Sequence, residues 1–207
     1  VREPSVGKFR RHLDRMLNKN PGLFVTALSE SEVEEGEVCI GAEIETLEPG
    51  DIAVIDISQV NDATKGFIIG CVMKAIEKRI TDAEEPQPFL VFVDELNKYA
   101  PKSTRVSALT QQLIEITARG RSSGVALIGA EQFKSQIHIE VTENCSTHVI
   151  GRSGAMELSS DSYKFVPNMI KTNLTVLEKG ELVIIHPLFR QPIKIRFPKP
   201  YYRRPKV

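Results

Sequence analysis

Long apolar runs are missing from this sequence, and no stretch approaches the ~20 residues that a membrane-spanning helix needs. Val1-Arg2-Glu3-Pro4 is not followed by the apolar region of a signal peptide. Cysteine is scarce: Cys39, Cys71 and Cys145 are scattered and form no CxxC pair, which excludes a zinc ribbon and a thioredoxin-like motif. A reducing cytoplasm is the simpler setting for such a chain. His12, His138, His148 and His186 show no HExxH or comparable metal-ligand spacing. Charge of one sign is also lacking, since 27 Lys and Arg balance 27 Asp and Glu. A nucleic-acid binder with that balance has to gather its positive charge on a few loops. No internal repeat is visible, and there is no initiator Met.

What is present reads as an ordinary globular chain of 207 residues, 41% hydrophobic and 26% charged, long enough for one large domain. Residues 1–20 have the pattern of a basic amphipathic helix, with Phe9, Leu13, Met16 and Leu17 on one face. An acidic stretch over 29–37 has the composition of an exposed loop. After the Pro49-Gly50 turn, Ile52–Ile57 is a compact apolar strand candidate. The periodicity predicts a helix over 64–80, with Phe67, Ile68, Cys71, Val72, Ala75 and Ile76 on its buried face. Phe89–Val93 is a continuous apolar run, as expected of a strand covered on both faces. A helix over 105–119 and strands at Val125–Ala130, His148–Ile150, Leu182–Ile185 and Ile193–Ile195 complete the pattern. Strands alternating with helices predict an α/β fold with a mainly parallel sheet flanked by helices. The expected division is an N-terminal segment at 1–42, a core at 43–202 and a basic tail at 203–207.

Chemistry concentrates at strand ends. The run Phe89–Val93 delivers Asp94 and Glu95 beyond its C-terminal end, where open α/β sheets bind their ligands. Standing alone, such a pair also suits a charged turn or a helix N-terminus. One helix later, Arg119 and Arg121 precede the strand Val125–Ala130, and Gln132 follows it. A glutamine there can donate to a phosphate oxygen and accept from water. Arginine offers a planar fork to a phosphoryl group, although a solvated helix C-terminus is the other use for these two.

Four collinear segments carry a family resemblance. "FLVFVDELNKYAP", Phe89 to Pro101, resembles the Walker B segment of HerA-like DNA translocases. "ARGRSSGVALIGAEQ", Ala118 to Gln132, is similar to the arginine-finger and sensor-glutamine stretch of HerA, FtsK and conjugative coupling ATPases. "LEKGELVIIHP", Leu177 to Pro187, resembles that family's closing turn and strand, and "LEPGDIAVIDISQV", Leu47 to Val60, the strand before the Walker B helix. The resemblance covers roughly 43–202 and implies a RecA-like P-loop NTPase core, incomplete at its N-terminus. It implies ATP and Mg²⁺ as cofactors. Asp94 would hold the metal through water, Glu95 would be the catalytic base, and Gln132 the phosphate sensor. Arg121, with Arg119 as second choice, would be a finger acting on a neighbouring subunit's nucleotide. Arg152 would be a second phosphate-facing arginine or a surface ion-pairing residue.

Two departures from the family pattern stand out. No GxxxxGK[ST] loop occurs, so the cradle for the β- and γ-phosphates is expected upstream of Val1. Phe133-Lys134-Ser135 follows the sensor glutamine in place of the Arg-Pro pair common in the family. The implied partners are double-stranded DNA, further copies of the chain in a hexameric ring, and a nuclease for DNA-end processing or repair; no membrane is implied. Lys134 and Lys65 are candidate pore lysines for backbone phosphates, or ordinary exposed lysines. A secretion or conjugation motor of the same fold, and a non-catalytic assembly module, are the other readings. The missing loop favours the module for this chain alone.

Overall fold

The computed structural model describes residues 39–85, 87–103 and 106–198, with Arg11, Asp14 and Asn18, which are helical. The rest of the expected N-terminal helix, the acidic stretch at 29–37 and the basic tail at 203–207 lie outside the described residues. By its contacts the chain divides into two compact units, Val1–Val91 with Gly120–Ala126, and Phe92–Arg119 with Leu127–Val207.

In the first unit, α1 (Ile40–Thr46) packs on the long α2 (Asp62–Asp82). Asn61 starts α2, its side-chain oxygen accepting from the Thr64 N–H at 3.1 Å and hydroxyl at 3.2 Å, which satisfies a donor left open by the first turn. Ile68, Met73 and Ile76 are its buried apolar residues. The buried face is therefore rotated from the one expected, since Phe67 and Cys71 are exposed. The guanidinium of Arg79 donates to the carbonyls of Ile44 and Leu47, capping the end of α1, and lies 5.4 Å from the centre of the Phe89 ring.

The strand expected at Ile52–Ile57 is not formed. Residues 51–57 carry no regular structure, and Ile52 and Val54 are 89% and 85% exposed. A strand exists only with a partner for its N–H and C=O groups, and none among the described residues lies alongside. Gly50, at φ 102°, makes the turn that leads into this segment.

Strand β1 (Phe89–Val93) pairs with β2 (Val125–Gly129) through the crossover helix α3 (Ala108–Ser123). Phe89 N–H donates to Gly124 O at 2.9 Å and Ala130 N–H to Val93 O at 2.9 Å, so both strands run in the same direction. Among the described residues only one face of β1 is covered: Leu90 and Phe92 are 68% and 64% exposed, where two buried faces were expected. Ser107 opens α3 by accepting the Thr110 N–H at 3.0 Å. Leu113 and Ile114 anchor the helix in the interior, and Gly124, at φ 70°, turns the chain back into β2.

In the second unit, α4 (Ile139–Asn144) precedes β3 (His148–Ile150), and the short α5 (Ala155–Leu158) and α6 (Asn168–Thr175) follow it. The closing strands β4 (Glu181–Ile185) and β5 (Ile193–Arg196) fall where expected. They form a separate antiparallel sheet in the order β3-β4-β5, with Ile150 opposite Val183 and Val183 opposite Lys194. Ile150, Leu158, Tyr163, Val166, Leu174, Leu177 and Val183 make one buried cluster on that sheet. The fold class is α/β as expected, a parallel pair with flanking helices followed by antiparallel closing strands. Among the described residues no helix is long and apolar enough to cross a membrane.

Candidate active site at the strand ends

Ala130 fixes the geometry of the site. Its N–H donates to Val93 O and its carbonyl accepts the Leu96 N–H at 3.1 Å. The chain between those two bonds, Asp94-Glu95, therefore bulges outward past the end of β1, beside Glu131-Gln132 past the end of β2. Asp94, Glu95 and Gln132 are all exposed. Glu95 is the one non-glycine residue with positive φ among the described residues, at φ 53° and ψ 45°. That left-handed conformation costs an L-residue about 1–2 kcal/mol, and such outliers cluster at functional sites. Asp94 Oδ1 accepts the Glu95 N–H at 2.9 Å, which holds the bulge, and Glu95 Oε2 meets Lys98 Nζ at 2.6 Å.

The support beneath is tightly made. Leu96 is buried under the bulge, and a Cβ on Gly129 would sit 2.3 Å from its Cδ2. Glycine at 129 lets β2 pass this close with the Leu96 side chain undisturbed. Tyr99 and Ala100 are buried, with the Tyr99 carbonyl accepting from Thr110 Oγ at 3.0 Å. His138 N–H donates to Ala100 O at 2.8 Å, Lys102 N–H to Gln136 O at 2.7 Å, and Pro101 bridges Ile137. The Tyr-Ala-Pro that follows the acids is thus a structural tie between the acid segment and the segment after Gln132.

The structure brings Asp94, Glu95 and Gln132 to one edge. It does not bring the arginines there. Arg119 is exposed near the end of α3 that leads into the start of β2, the opposite end from Gln132. Five strand residues lie between, about 17 Å at ~3.4 Å per residue. Arg121 lies in the last turn of α3, and its side chain is outside the described residues. Arg152 is exposed just past β3, in the other sheet. Lys65 lies in the first turn of α2, in the other unit.

Lys134 is half-buried. Its ammonium lies 4.2 Å from the centre of the Phe165 ring, 5.9 Å from that of Tyr163 and 3.5 Å from His148 Nδ1. Burial lowers its pKa from the usual lysine range. Burial also raises that of Glu131, which Lys134 partly offsets. The aromatic seat of Lys134 has no local sequence signal, whereas Gly129 does have one: a glycine ending an apolar strand marks a close backbone approach.

His148 carries a pH prediction. Burial, helped by the Lys134 charge, holds its imidazole down to about 4 against 6.5 for a free histidine. Between those values the unfolded chain binds the extra proton, so the folded state is weakened as pH falls from 6.5 towards 4. Discounted for its partial exposure, the effect is about 1–2 kcal/mol. Urea unfolding at pH 7 and pH 4.5 is expected to show this loss, and His148→Gln to lack that part of it.

Among the described residues no three His, Cys, Asp or Glu side chains gather as a ligand set. Asp94 alone suits a cation that keeps most of its water, as Mg²⁺ does.

The chain has an α/β fold that matches solved structures of NTPases. The solved structures it is similar to include the genome packaging NTPase B204 of Sulfolobus turreted icosahedral virus 2. In complex with ATP-γS that protein is 13% identical, with a TM-score of 0.59 over 85% of this chain and 79% of that one. In complex with sulfate the identity is 14% and the TM-score 0.58, over 83% and 77%. In complex with AMPPCP the match has a TM-score of 0.52 and covers 64% of each chain, under two thirds of the viral protein. At such identities the similarity is one of fold. No protein-family model matches the chain, and no curated protein matches its sequence.

Proposed function

We propose that this chain is part of an ATP-hydrolysing motor that moves double-stranded DNA, of the HerA/FtsK type, working as a ring in the cytoplasm. The observation that carries the reading is the left-handed Glu95 beside Asp94 at the same edge as Gln132. A structural neighbour described as the DNA-packaging ATPase of Sulfolobus turreted icosahedral virus supports DNA as the cargo. In this reading Asp94 would hold Mg²⁺ through its water shell, and the ion would supply positive charge at the phosphates. Glu95 orients the attacking water and takes its proton. Gln132 donates to the terminal phosphate and accepts from that water. Arg121, with Arg119 as second choice, serves a neighbouring subunit's nucleotide, which suits arginines set a strand's length from their own acids. A hexamer, a nuclease partner and a role in DNA-end processing extend the same reading, with Arg152 as a further phosphate contact.

The test is ATP turnover by the full-length protein with and without duplex DNA. Turnover that rises with DNA is the expected result. Turnover stimulated only by single-stranded DNA or a protein cargo moves the reading to a conjugation or secretion motor. No turnover under any condition would leave a non-catalytic assembly module, the reading favoured by the absence of a GxxxxGK[ST] loop among these 207 residues.

A further inference from the structure

The four residues after Gln132 are tied on two sides. On one side, Asn97 Nδ2 donates to Gln136 Oε1 at 3.2 Å and Lys102 N–H to Gln136 O at 2.7 Å, joining the stretch to the acid segment. On the other side, Glu157 of α5 takes both donors of Ser135, the N–H at 2.9 Å and the hydroxyl at 2.6 Å. Between these ties sits Lys134, on the Phe165 ring and against His148, whose own ring lies tilted against Phe165 with the centroids 4.6 Å apart. An ammonium that serves a phosphate backbone stays in water on a flexible stem. One seated on a ring and half removed from water gains from the ring's negative face instead, and gives its backbone a fixed position.

We propose that Lys134 is a positioning residue for Gln132: with Phe165 and the Ser135–Glu157 pair, it clamps the segment that aims the glutamine at the terminal phosphate. This rests on Gln132 being the phosphate sensor. It replaces the expectation of a pore lysine, because the same ammonium cannot hold the ring and follow a moving phosphate strand. Lowered lysine pKa and raised Glu131 pKa fit the same partly dry pocket. The clamp also joins this segment to α5 through Glu157 and to the Tyr163 ring, 5.9 Å from the Lys134 ammonium.

Three variants test it. Lys134→Met keeps the length and removes the charge, Phe165→Leu keeps the charge and removes the ring, and Lys134→Arg keeps a cation able to stack. The first readout needs no activity: amide hydrogen exchange across residues 131–137. Lys134→Met and Phe165→Leu are each expected to lose protection about 5-fold to 10-fold, and Lys134→Arg to keep it. The second readout is turnover by the full-length protein, where both disruptive variants are expected to lower kcat with the DNA half-saturation point unchanged. Unchanged exchange in both variants overturns the clamp. Weaker, less salt-sensitive DNA binding in Lys134→Met with no change in Phe165→Leu overturns it in favour of a phosphate contact. Lost protection in a full-length protein that never turns over ATP leaves the tie but overturns the positioning role, together with the motor reading it rests on.

Discussion

Turnover by the full-length protein is expected to fall at least ~100-fold on Glu95→Gln, the scale of a lost general base, with ATP still bound. Glutamine keeps the shape and cannot take a proton. The bulge survives because it is held by the Asp94 side chain and the two Ala130 bonds, none of which uses the Glu95 carboxylate. A second variant separates catalysis from architecture. Glu95→Gly removes the left-handed strain, about 1–2 kcal/mol, against roughly 0.5–1 kcal/mol for the freer unfolded chain. The exposed ion pair with Lys98 contributes little. Stability is therefore expected to hold or rise by about 0.5 kcal/mol while turnover disappears. Loss of ATP binding in Glu95→Gln would refute the catalytic assignment. A drop in stability above ~1 kcal/mol in Glu95→Gly would make the residue structural.

Local pattern carried much of this fold. The apolar runs that became β1, β2, β3, β4 and β5 are short and bounded by turns, with helical periods between them up to β4 and a short loop between β4 and β5. The edge where Asp94, Glu95 and Gln132 meet follows from the same logic, since adjacent parallel strands end together. What depended on distant partners was not legible. Residues 51–57 have the composition of a strand but no neighbour among the described residues to complete one. The run Phe89–Val93 could not reveal that only one face is covered. Lys134 reads as a surface lysine until Phe165, far along the chain, is brought beneath it. The pairing order β3-β4-β5 likewise has no local signature.

Gly120→Ala and Gly70→Ala are expected to act in opposite directions. Both glycines lie inside helices, where alanine is intrinsically better by about 1 kcal/mol. At Gly70 a Cβ meets nothing within 4 Å, so the propensity gain should appear almost whole. At Gly120 a Cβ would lie 2.3 Å from the Val125 carbonyl oxygen, a backbone atom at the start of β2. That atom cannot swing aside as a side chain can, so α3 or β2 must move. The expected net loss is about 1–2 kcal/mol, overpacking outweighing propensity. Urea unfolding midpoints of the two variants decide it. A stabilised Gly120→Ala would mean that α3 does not approach β2 so closely. The glycine between Arg119 and Arg121 then has a reason in packing that the arginines' chemistry does not supply: it lets the end of α3 lie against the start of β2.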